Sequence, residues 1–237
     1  MTGQTGGIGR AGQAEQADLS GWQLARWPGA VTLDGNWVRL EPLDAARHGA
    51  SLWRAVSGRD EVWEWLFDGP YASEELFLGA VAAKAASEVA RFYAIVPHGD
   101  APSEALGYAS LMRIEPEHGV IEVGNVLFSP ALQRTRAATE AIYLLASYVF
   151  EELGYRRFEW KCNALNLPSR RAAERFGFQF EGIFRRHMVV KGESRDTAWF
   201  AMVDEDWPCL RDAFDGWLAA ENFNAAGEQL RGLASFR

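Results

Sequence analysis

The apolar positions change period several times along the chain, and each change marks an element. Val31-Thr-Leu33 and Trp37-Val-Arg-Leu40 alternate on either side of Asp34-Gly-Asn36. Asp-Gly between apolar runs predicts a tight hairpin. Asp44 then stands as a helix N-cap ahead of Leu52, Trp53 and Val56 at helical spacing, and Gly58 ends that run. Asp60 to Phe67, with Trp63, Trp65 and Leu66, reads as a short helix broken at Asp68-Gly-Pro70. Ser73 caps a third helix running to about Val89. From Arg91 the period returns to two. Strands over 91–96, 105–113 and 120–128, separated by the turn-rich 97–103 and 115–119, predict an antiparallel meander.

The clearest helix follows, with Ala138, Ala141, Ile142, Leu145, Tyr148, Val149 and Leu153 on one face and Gly154 as its stop. The next strand places Phe158, Trp160 and Cys162 on one face and Glu159 and Lys161 on the other. Strand, helix and strand in that order predict a parallel pair. Asn166 caps a short helix over 169–176, with Pro168 in its first turn and Gly177 at its end. A long hairpin over 178–188 and 196–202 has its tip at 191–195, and a helix runs from Asp206 to about Ala220. The polar remainder reads as a loosely packed extension. The expected organisation is a flexible tail over 1–28, one α/β (α+β) domain over 29–205 and a helical extension over 206–237.

Composition narrows the classes. Of 237 residues, 48% are apolar, enough for one sizeable core. The net charge is −8, which argues against direct nucleic-acid binding. Cys162 and Cys209 lie far apart and suggest a reduced, cytoplasmic setting, and the four scattered histidines give no metal site. No apolar run is long enough to cross a membrane.

Candidate chemistry centres on Phe128 to Glu140, where a strand turns through Gln133, Arg134, Thr135 and Arg136 into the long helix. Unbonded N–H groups and the helix dipole make such a start a phosphate site. With Ile121-Glu-Val-Gly124, Ser129-Pro-x-x-Gln133, Thr139-Glu-Ala141, Asn166-Leu-Pro-Ser169, Arg175-Phe-Gly-Phe178 and Asp196-Thr197, the stretch from Val31 to Val203 resembles the Gcn5-related N-acetyltransferases (GNAT), in their RimJ/RimL-like branch.

That resemblance implies a mixed, mostly antiparallel sheet whose fourth and fifth strands run parallel and splay apart, flanked by helices. It implies acetyl-coenzyme A as cofactor. The pyrophosphate would lie on Gln133, Arg134, Thr135, Arg136, Ala137, Ala138 and Thr139, and the pantetheine arm along the backbone of Val126, Leu127 and Phe128. Asn166 and Ser169 would flank it, with N–H groups near Leu127 facing the oxyanion. Two departures stand out. Arg136 replaces the loop's first glycine, and Ala173 replaces the usual acid tyrosine, leaving Ser169 as the nearby hydroxyl for the leaving thiolate.

Glu122 is the candidate general base, because an amine must lose a proton before it attacks a thioester. The same residue on the same strand could equally face solvent or pair with an arginine. Asn125 is expected on the opposite face, among Ile121, Val123 and Leu127. The partner is an amine acceptor, either a protein N-terminus or a small molecule, and the protein a monomer or homodimer. A non-catalytic acyl-coenzyme A sensor of the same fold is the alternative.

Overall fold

The structure, a computed structural model, describes residues 19–99 and 104–237. The expected tail and the 97–103 loop fall partly outside these residues. Eight strands form one sheet in the order β1-β2-β3-β4-β5-β6-β8-β7. They are β1 (Leu33–Asp34), β2 (Val38–Pro42), β3 (Arg91–Pro97), β4 (Gly107–Glu115), β5 (Val120–Phe128), β6 (Arg157–Asn163), β7 (Gln179–Val190) and β8 (Glu193–Val203). Every pairing is antiparallel except β5 with β6. The expected splayed parallel pair is thus β5 and β6, the opening hairpin adding a strand to the count.

Helices cover both faces. On one lie α1 (Ala45–Val56) and α2 (Glu74–Ala85), whose Leu52, Val56, Phe77 and Val81 pack on Phe92, Ala94, Tyr108 and Leu127. On the other lie α3 (Arg136–Ser147), α4 (Leu167–Phe176) and α5 (Trp207–Leu218), packed on Ile121, Val123, Phe158 and Phe200. The predicted caps form: Asp44, Ser73 and Asn166 accept N–H bonds from Arg47, Leu76 and Ser169. The long periodic helix ends earlier than its apolar stripe. It continues as a π-turn over Tyr148–Glu152, which keeps Val149 and Leu153 in the core.

One buried carboxylate ties α3 to the first hairpin. Glu140, 2% exposed, accepts N–H bonds from Asn36 at 2.8 Å, Trp37 at 2.6 Å and Val38 at 3.0 Å. Gly35 makes room for it, since a Cβ there would lie 2.5 Å from the Glu140 carboxyl carbon. The turn residues that signal a hairpin in the sequence therefore also form a carboxylate-binding loop.

Residues 25–26 and the segment beyond α5 are tied to the body of the domain. Arg26 N–H bonds the Leu153 carbonyl at 2.8 Å, and Ala25 is buried. Beyond α5, the Asn222 side chain donates to the Trp217 and Arg231 carbonyls and accepts from Arg231 N–H. Leu233 is 2% exposed. The segment looks polar because polar side chains close its loops.

Removing the shared carboxylate leaves three N–H groups without their acceptor. Glu140→Ala is expected to lower unfolding free energy by about 3 kcal/mol, read from urea denaturation with tryptophan fluorescence as probe.

Candidate functional site

The site begins where a ladder stops. β5 and β6 pair only from Val120 with Arg157 to Val123 with Trp160. Beyond that, the remainder of β5 and Lys161–Asn163 have no pairing with one another. The cause is local. Asn125 takes a left-handed conformation at φ 48°, and the β4–β5 register slips between Ser110 opposite Gly124 and Tyr108 opposite Leu127. Such a bulge bends its strand and inverts the alternation that follows. Leu127 consequently packs with α1 and α2 while Ile121 and Val123 pack with α3. Asn125 does not join Ile121 and Val123 as its spacing implies: its amide lies 3.4 Å from Ser110 Oγ, on the Glu122 side.

The gap opens into a cavity of about 1100 Å³ lined from both sheet faces. On the α3–α4 side, Thr135 caps α3, accepting from Ala138 N–H at 3.1 Å and donating to the Leu132 carbonyl at 2.7 Å. That leaves the N–H groups of Arg136 and Ala137, the first two helical residues, without intrahelical acceptors. Gln133 donates to the Phe128 carbonyl at 3.0 Å and Arg134 sits at φ 63°, so the loop is held tightly without glycine. The Arg136 guanidinium lies between two rings, 4.1 Å from the centre of Trp37 and 3.7 Å from that of Phe223. Among the described residues no carboxylate pairs with it. It fastens the C-terminal segment, whose Phe223, Gly227 and Gln229 line one end of the cavity.

Across from this helix start, Arg175 of α4 donates to Thr139 Oγ1 at 3.1 Å and lies 4.9 Å from the Trp217 ring centre. Among the described residues no carboxylate pairs with it. Burial and the nearby Arg237 hold its pKa below the usual guanidinium value. Ser169, with its N–H bonded to the Asn166 side chain, accepts a hydrogen bond from the Trp160 indole at 3.0 Å. An indole N–H only donates, so the serine keeps its own proton to donate, and the Cys162 sulfur lies within its hydrogen-bonding reach.

The other face is charged. Glu122, 5% exposed, places Oε2 3.0 Å from Lys161 Nζ and 3.0 Å from Arg113 Nε. Burial pushes its carboxyl above the usual carboxylate range, against the opposing pull of Lys161 and then Arg113. Its Oε1 faces the space over Gly124, 3.4 Å from where a Cβ would stand, while that Cβ would meet Met112 Sδ at 2.5 Å. Glycine there keeps the approach to the carboxylate open. His187 Nδ1 lies 3.0 Å from Thr197 Oγ1, and burial, with the charges of Arg113, Arg195 and Lys161, lowers its pKa. Arg195 also lines the cavity, 5.2 Å from the Phe67 ring centre.

Val126, Phe128, Gln133, Arg134, Thr135, Arg136, Ala138, Thr139, Asn166, Ser169 and Glu122 all line this cavity. Leu127 points its side chain into the α1–α2 core, and Ala137 is buried at the helix start. Lys161, Arg175, His187 and Arg195 went unassigned in the sequence. Arg195 was expected at a hairpin tip, but the tip is only Lys191-Gly192 and Arg195 pairs with Met188 inside the strand. The signal present was alternation, since Arg195, Thr197 and Trp199 share one face.

A family model described as the acetyltransferase (GNAT) domain matches residues 38–179. A crystal structure of a GCN5-related N-acetyltransferase from Brucella melitensis is similar at 46% identity and a TM-score of 0.89, covering 92% of this chain and 99% of that one. The uncharacterized N-acetyltransferase YnaD of Bacillus subtilis is 29% identical over 102 residues, 43% of this chain. The match spans 59% of that relative, under two thirds of its length. RimL, a ribosomal L7/L12 alpha-N-protein acetyltransferase, is 21% identical with a TM-score of 0.63 over 76% of this chain and 99% of that one, a likeness of fold alone.

The stacking of Arg136 is open to direct test. Arg136→Ala is expected to cost about 1–2 kcal/mol. It should also speed amide hydrogen exchange across residues 220–230 while leaving β3 and β4 protected, as read by mass spectrometry.

Proposed function

The chain belongs to the GNAT acetyltransferase family, and from that premise we propose that it transfers an acetyl group from acetyl-coenzyme A to a primary amine by direct attack. The observation that carries the proposal is the unpaired stretch between β5 and β6, flanked by the capped start of α3 and by Arg175. These residues fit the cofactor. An extended arm can bond unpaired strand backbone at Val126 to Phe128, and a pyrophosphate suits the free N–H groups of Arg136 and Ala137. Arg134, Arg175 and the edge of Arg136 can add charge-assisted bonds. Acetyl-coenzyme A, when bound, supplies the activated thioester.

Each protein group then has a task. Glu122 takes the proton of the acceptor ammonium at Oε1, the oxygen that faces the space over Gly124, with the charges of Lys161 and Arg113 each 3.0 Å from Oε2. Its raised pKa makes it a stronger base than an exposed glutamate. Ser169 turns its hydroxyl proton from the Cys162 sulfur to a hydrogen bond with the leaving sulfur. The fold likeness to RimL leaves both acceptor classes, a protein N-terminus and a small amine, within the proposal. A reduced, cytoplasmic setting, as suggested by the unpaired Cys162 and Cys209, belongs to the same proposal.

Acceptor-dependent release of free coenzyme A from acetyl-coenzyme A, followed with a thiol reagent over a panel of amines, tests the activity. Tight coenzyme A binding without release by any amine would instead favour a sensor. A base must be ionised, so the rate is expected to rise as pH climbs through the raised Glu122 pKa. Glu122→Gln should slow turnover about 100-fold and move the acid limb of the profile to higher pH. An unchanged profile would remove Glu122 from this role. Arg175→Ala should weaken coenzyme A binding about 10-fold by calorimetry.

A further inference from the structure

The charged sheet face is unevenly paired. Glu122 is held by Lys161 and Arg113, and Glu159 by Arg157 at 2.7 Å and Lys161 at 2.6 Å. Arg157 is matched again by Glu181 at 2.8 Å. Asp196, next to Arg195 in sequence, points to the other face of β8 and accepts Arg186 N–H at 2.7 Å. Each nearby carboxylate thus has its partner.

Arg195 has none. It is 6% exposed, lines the cavity, and its Nε is buried without an acceptor. Its neighbours are the Phe67 ring, the charged pair Glu122–Arg113, and Cys162, whose thiol burial pushes above its usual value. A guanidinium stays protonated even when buried. A buried charge without a partner is costly unless something supplies the opposite charge.

We infer that Arg195 is the counter-ion for a carboxylate on the acceptor, making this end of the cavity a subsite for a free amino acid. The substrate class rests on the acetyl-transfer reading; the anion subsite rests on Arg195 alone. The geometry distributes the two ends of an amino acid. Its ammonium goes to Glu122, the acidic group whose Oε1 is free, and its carboxylate to Arg195 on β8, one strand beyond β6. Arg113 and Lys161, already engaged with Glu122, reinforce the preference for an anion without competing for it. The third substituent meets Val62, Trp65, Leu66 and Phe67, an apolar roof, which favours an amino acid with an apolar side chain. Lys191 Nζ bonds the Trp63 carbonyl at 2.8 Å, so the β7–β8 tip closes onto this roof and limits the room for a longer chain.

The test is equilibrium binding of the full chain, without coenzyme A, to the standard L-amino acids and to their C-terminal amides, by calorimetry. At least one apolar amino acid is expected to bind 10-fold or more tightly over its amide. Arg195→Met should abolish that difference and Arg195→Lys restore part of it, with thermal melting confirming that both variants fold. Equal binding of acids and amides, or no binding of any amino acid, would overturn the inference; the wild-type comparison decides this without a variant. Thiol release over the same panel separates the two readings. Acid-selective binding with no release by any amine sinks acetyl transfer and leaves the subsite. Release with carboxylate-free amines, with amides bound as well as acids, sinks the subsite and leaves acetyl transfer.

Discussion

Two parallel strands that stop bonding to each other halfway along are the constraint on which this molecule turns. Backbone N–H and C=O groups in a sheet interior must find partners, and past Val123 those facing across the gap have none from the neighbouring strand. The bulge at Asn125 creates that condition by bending β5, and the surrounding elements are arranged about it. The α3 helix starts at the open end, α4 flanks it on β6, and the roof of residues 62–67 covers the opposite face. One cavity can therefore join two chemically different sides of a sheet that would otherwise separate them.

Those two sides divide the work by polarity. Toward α3 and α4 the groups are donors with no carboxylate among them: the first N–H groups of a helix, Arg175, which donates to Thr139 Oγ1, and a serine that accepts from Trp160. Such donors suit the phosphate and the developing thiolate of the proposed reaction. Toward the roof the groups are a buried ion-pair network with Arg195 beside it, outside its pairs. Its two carboxylates are held by Arg113, Lys161 and Arg157, which orients Glu122 while burial raises its basicity. Arg136, which replaces the expected loop glycine, has a structural task as well. It is a stacking post between Trp37 and Phe223, by which the C-terminal segment becomes part of the cavity wall.

The sequence by itself determined the element order, the caps at Asp44, Ser73 and Asn166, the parallel crossover through α3 and most of the residues that line the cavity on the α3–α4 side. These follow from local rules of period, capping and turn chemistry, which act over a few residues. What only the tertiary structure decided depends on contacts between distant segments. The bulge inverted the faces of Asn125 and Leu127, because pairing with β4 sets the register. Glu140 reads as one polar residue in a helix, yet it organises a hairpin more than 100 residues away in the chain. The isolation of Arg195 was invisible for the same reason. A side chain lacks a partner only relative to every neighbour the fold brings near it, and alternation along one strand cannot count those.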